Sequence, residues 1–222
     1  MNKISQLPII YSLRNCPFAM RARIAIYKSQ QAVRLRDIVL SNKPADMISV
    51  SPKGTVPVLV TPQGQVIEES YELMLWALGQ NDPDNLLFSD DESKFTAMLE
   101  LIYRFDSQFK PCLENYKCAK RYSEDNIEQC RQACEVHIAE LEKRLSMHSF
   151  FIADRESLAD IAILPFIRQF ARVERQWYLT APYPKLRQWL DRYLQSKMFS
   201  KVMAKHPLWI DSGEEVLLGG QQ

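Results

Sequence analysis

The period of the apolar positions changes near residue 80. Residues 8–12 (Pro-Ile-Ile-Tyr-Ser) are a short apolar run of the kind a buried strand gives. Asn15-Cys16-Pro17 follows, and Phe18, Ala22 and Ala25 then recur at i, i+4 and i+7, a helical face. Val33 and Leu35 alternate with Arg34 and Arg36, and Ile38 and Leu40 continue the pattern of a second strand. Val56 to Val60 and Gln65 to Ile67 flank Thr61-Pro62-Gln63-Gly64, a turn sequence, which predicts a hairpin. Residues 70–79 read as a short helix stopped at Gly79. The order β-α-β, then β-β-α, predicts a small mixed α/β sheet domain over residues 1–80.

A polar breaker stretch, Gln80-Asn81-Asp82-Pro83-Asp84-Asn85, comes next and marks a linker over 81–90. Beyond it the strand signals disappear. Phe95, Met98, Leu99, Ile102, Phe105 and Phe109 follow helical spacing, and Ile127, Cys130, Cys134, Ile138, Leu141 and Leu145 do so on a second long helix. Leu158, Ile161, Ala162 and Leu164 begin a third, in which Pro165 should place a kink. Leu186, Trp189, Leu190 and Tyr193 mark a fourth. Residues 91–222 are therefore expected to form an all-α domain.

Composition narrows the function. The chain has 222 residues, with 28 Lys and Arg against 27 Asp and Glu, so it lacks the basic surplus of a protein that grips nucleic acid through phosphates. No apolar run approaches the roughly 18 residues of a membrane span, and Met1 to Ile10 lacks the apolar core of a signal peptide. The expectation is a cytoplasmic protein that binds neither nucleic acid nor membrane. Five cysteines are an odd number without the spacing of a disulfide scaffold, which fits a reducing compartment.

Among those thiols, Cys16 stands where a strand hands over to a helix, with Pro17 in the favoured first helical position. There a sulfur faces unpaired N–H groups and the positive end of the helix dipole, both of which favour thiolate over thiol. Position alone leaves two readings open, a nucleophile or an inert N-cap.

Cys16-Pro17-Phe18-Ala19, the Val56-Pro57 pair before a strand, and Glu69-Ser70 opening a helix together resemble the glutathione transferase superfamily, and within it the cysteine-type, omega-like branch. The resemblance spans essentially the whole chain. It implies a thioredoxin-like N-terminal domain, a linker and a helical C-terminal domain, with Cys16 as catalytic residue. Pro57 takes the place of the family's cis-proline, so that Val56 would pair strand-like with the cysteinyl part of glutathione. The Ser70 hydroxyl and the helix N-terminal amides would hold a carboxylate, and Glu69 an ammonium, the two groups of the γ-glutamyl end. Lys43 matches the position that contacts the glycyl carboxylate, where a solvated loop lysine is the alternative. Phe18 and Leu40 match contact positions, with core packing as their alternative. Ser157-Leu158-Ala159-Asp160 resembles the family's N-capping box, a folding element. Glutathione is the implied co-substrate, and a small electrophile or disulfide, set against the helical domain, the second substrate. Tyr103, Phe109 and Trp177 are candidates for its pocket.

Because the nucleophile is Cys, the resemblance favours thiol–disulfide exchange, deglutathionylation or reduction of small oxidants such as dehydroascorbate. Ala19 and Met20 stand where a resolving Cys would be, leaving a monothiol route with a second glutathione. The competing class is a non-catalytic scaffold on the same fold. A homodimer is also implied, with Leu73, Trp76 and Leu101 as apolar side chains that an interface would cover, the alternative being that they belong to the monomer's own core. Cys130, Cys134 and His137 share one helix face at i, i+4 and i+7, but they also continue an apolar stripe. Core packing is the reading adopted, and no metal is expected.

Overall fold

Two parallel strands, β1 (Ile9–Ser12) and β2 (Val33–Asp37), joined by helix α1 (Pro17–Ser29), begin the fold in a computed structural model that describes residues 6–220. A short helix α2 (Ala45–Val50) leads to the antiparallel pair β3 (Val58–Val60) and β4 (Val66–Ile67), and α3 (Ser70–Gln80) closes this section. The register sets Ile10 beside Leu35 and Leu59, and Leu59 beside Ile67, so that these four buried side chains share one sheet face. The opposite face carries Tyr11 and Val58, which pack with Ala19, Ile38, Met47 and Val56. The Val56–Pro57 peptide bond is cis.

A fifth strand, β5 (Val216–Leu218), pairs antiparallel with β2 and completes the order β4-β3-β1-β2-β5. The expected helical domain does not reach residue 222. One compact unit runs to Asp84 and takes up the chain again from Ser196, including α10 (Lys197–Val202), α11 (Trp209–Ser212) and β5, and the other is Asn85–Gln195. Several side chains fix the returning segment. Glu215 bonds Arg36 (Nε to Oε1, 2.8 Å; Nη2 to Oε1, 2.6 Å) and Arg34 (3.2 Å). The Arg36 guanidinium lies 4.1 Å from the Trp209 ring centre and donates to Tyr11 Oη at 2.8 Å. Deeper in, Arg23 is fully buried, pairs with Asp37, and donates to Ser12 Oγ at 2.7 Å and to the Val202 carbonyl at 3.3 Å. Gly219 sits at φ +77, where a Cβ would collide with the Gln31 carbonyl, so only glycine fits.

The second unit is helical throughout: α4 (Glu92–Arg104), a π-helical turn (Phe105–Phe109), α5 (Lys110–Tyr122), α6 (Ile127–Met147), α7 (Leu158–Val173), α8 (Arg175–Thr180) and α9 (Pro184–Leu194). Asp91 caps α4 by accepting the Lys94 N–H at 3.1 Å. The Ser157/Asp160 capping box forms at the start of α7, which continues through Pro165 to Val173. Likewise α3 runs past Gly79 to Gln80, since Gly79 does not take up the left-handed conformation of a helix stop. Leu73 and Leu101 are buried in the chain itself, in line with the core reading, and of the three only Trp76 is half-buried.

Candidate functional site

Cys16 caps α1 with extended backbone (φ −75°, ψ 125°), and Pro17 occupies the first helical position, where its missing N–H costs nothing. Among the described residues the sulfur makes no hydrogen bond to the helix N–H groups. It lies instead 4.0 Å from the Val56 carbonyl oxygen. Val56 immediately precedes Pro57 and stands outside the paired register of β3, so a half-buried thiol and a free-standing strand end meet at one place.

Phe18, two residues on, is 38 % exposed, and Leu40 is 47 % exposed in the loop after β2. Neither is core, which removes the packing alternative for both. Lys43 follows Leu40 on that loop, closed by a bridge between Val39 and Asn42. Its side chain is exposed, and its Nζ lies 3.0 Å from the point where a Cβ on Gly54 would stand, beside the turn after α2.

Glu69 is the N-cap of α3, with extended backbone and no side-chain capping bond among the described residues, and Ser70 is buried as the first helical residue. The Glu69 carboxylate accepts a hydrogen bond from Lys53 Nζ at 2.5 Å. This bond raises the Lys53 pKa above the ordinary lysine value. The adjacent carboxylate, Glu68, accepts from the hydroxyl of buried Ser51. Lys53 was not among the expected site residues. It lies 16 positions before Glu69, and only the tertiary path of the chain brings them together.

The helical unit corrects one pocket candidate. Phe109 is fully buried, stacked on Phe105 at 4.2 Å, whereas Trp177 is half-buried with the Arg131 guanidinium 4.5 Å from its ring centre. Tyr103 is the most open of the three to solvent. Cys134 is buried in the apolar stripe, its thiol pushed up to about 12 by desolvation, and His137 sets its ring edge against Phe109. No group of three or more His, Cys, Asp or Glu side chains among the described residues is placed to hold a metal ion. All five cysteines are free thiols, and no described helix is long and apolar enough to cross a membrane.

Comparison with known proteins gives this geometry its class. A family model for the N-terminal domain of glutathione S-transferase matches residues 10–85, and one for its C-terminal domain matches residues 124–192. The chain belongs to the glutathione S-transferase family. Within it the likeness is to the omega type. The chain is 29 % identical to mouse glutathione S-transferase omega-1, over 88 % of its own length and 81 % of the relative's. It is also 28 % identical to Arabidopsis thaliana glutathione S-transferase L3, over 86 % and 83 %. A solved glutathione transferase family member from Pseudomonas fluorescens, with two glutathione bound, shares the fold (TM-score 0.77, 16 % identity, 91 % and 94 % of the two chains).

Proposed function

We propose that this protein is a glutathione-dependent thiol transferase with Cys16 as its nucleophile. The observation that carries the reading is the Cys16 sulfur 4.0 Å from the Val56 carbonyl, beside the cis Val56–Pro57 bond. Glutathione would lie with its cysteinyl backbone along Val56, its γ-glutamyl ammonium at Glu69 and that end's carboxylate at Ser70 and the α3 amides. Lys43 would take the glycyl carboxylate, and Phe18 and Leu40 would supply apolar cover. The Cys16 thiolate attacks the glutathione sulfur of a mixed disulfide R–S–SG. An S–S bond to Cys16 forms, the original S–S bond breaks, and R–S⁻ leaves. The thiolate of a second glutathione then attacks Cys16–S–SG, releasing oxidised glutathione and restoring the Cys16 thiolate. Ala19 and Met20 offer no resolving thiol, so the second glutathione is required.

Cys16→Ser should bind glutathione and lose the exchange activity. Full thiol transferase activity in that variant would remove Cys16 from the chemistry. No retention on immobilised glutathione, with no thermal stabilisation at millimolar glutathione, would favour a scaffold on the same fold.

A further inference from the structure

The turn between α2 and β3 places a cation of the protein where the bound ligand's cation is to go. Gly54 takes φ +61 and its N–H bonds the Ser51 carbonyl at 3.0 Å, so the backbone that carries Lys53 is fixed by a tight turn. From it Lys53 Nζ reaches Glu69 Oε1 at 2.5 Å. Glu68 and Glu72 add their negative charge around the same ammonium. Glu68 accepts from Ser51, and of these carboxylates it is Glu69 that Lys53 contacts directly.

We infer that Lys53 is a built-in competitor for the ammonium-binding carboxylate of the site. In the ligand-free protein Lys53 occupies Glu69, and an incoming γ-glutamyl ammonium must displace it. Lys53 thereby sets the affinity for glutathione and its dependence on the ligand's amino group. The inference rests on the glutathione reading above and adds to it a specificity-determining residue. The displacement is cheap, because Lys53 and Glu69 are 42 % and 65 % exposed and an exposed ion pair is weak. The range for such pairs corresponds to roughly a 1.4- to five-fold change in dissociation constant.

Calorimetric titration of the whole chain tests this with two ligands: glutathione, and its analogue lacking the α-amino group. Lys53→Gln should bind glutathione roughly 1.4- to five-fold more tightly than the wild type. It should bind the des-amino analogue no more tightly, because that ligand never asks for Glu69. In a Glu69→Gln background the gain from Lys53→Gln should vanish. Glutathione affinity unchanged or weakened in Lys53→Gln overturns the inference, as does an equal gain with the des-amino analogue. A wild type that binds glutathione not at all overturns the glutathione reading, and this inference with it. A structural role for Lys53 would not produce tighter binding confined to the ligand that carries an ammonium.

Discussion

Glu69 is a carboxylate of unusual freedom for a helix N-cap. Among the described residues it leaves its helix uncapped and engages only Lys53 through its side chain. Replacing it should therefore tell on ligand binding and hardly on folding. Glu69→Ala is expected to weaken glutathione binding by about 1.5–3 kcal/mol, the range for charge-assisted hydrogen bonds. The thermal midpoint of the ligand-free protein should stay nearly unchanged, since exposed ion pairs contribute little. Titration calorimetry beside a melting curve reads both, and an unaltered affinity would reduce Glu69 to an acid complementing the helix dipole. Much of the candidate site is legible at this scale. Cys16 is a candidate from its place at a helix start, whereas Val56-Pro57 and Glu69-Ser70 are picked out by the family resemblance, since each pair alone reads equally well as an ordinary strand start or helix cap. Lys53 is picked out by neither, because a lysine in a turn reads as solvated until the fold carries Glu69 to it.

Among the elements, α7 depends on one buried carboxylate. Asp160 collects four donors: Ser157 N–H at 3.0 Å, Ser157 Oγ at 2.6 Å, Phe151 N–H at 3.1 Å and Trp189 Nε1 at 3.1 Å. It thus joins the start of α7 to the preceding loop and to α9. Asp160→Asn turns an acceptor oxygen into a donor facing donors, and should cost about 2–4 kcal/mol, read by urea unfolding. Burial pushes the Asp160 carboxyl up to about 6, against the pull of its hydrogen bonds. The folded state then holds the proton more tightly than the unfolded state, where the ordinary value is 3.8. This contribution is complete below that value and is lost as pH rises through about 6. The stability difference between wild type and Asp160→Asn should shrink over that window, and a flat difference would contradict it. The capping box is visible in sequence as Ser157 and Asp160 three residues apart. The bonds from Phe151 and Trp189 are tertiary and carry no local signal. For a related reason α2 and α10, of six residues each, escape periodicity: they are too short to repeat an apolar stripe.

For the whole molecule, the family resemblance gives the expectation of a homodimer. Its interface would be isologous, one patch presented by both subunits across a two-fold axis, burying at least roughly 1,000 Å². Leu73 and Leu101 are spent on the chain's own core, so the face must be sought among other side chains. Light scattering at low micromolar concentration should give twice the 25.9 kDa chain mass, and a mass near one chain would exclude the dimer. The division of the chain was readable up to the polar stretch before residue 85, where composition changes abruptly. Its resumption at Ser196 was not, because β5 is three residues long and no alternation can be read from so few.

That resumption fixes when the first unit can be finished. Glu215 meets Arg36 across 179 positions of chain, and at ordinary rates of synthesis roughly ten to forty seconds separate their emergence from the ribosome. Throughout that interval β2 carries an open edge, and edge strands pair readily with foreign strands. The nascent chain therefore cannot complete its thiol-bearing unit before the helical one has been made, although that unit comes first in the sequence.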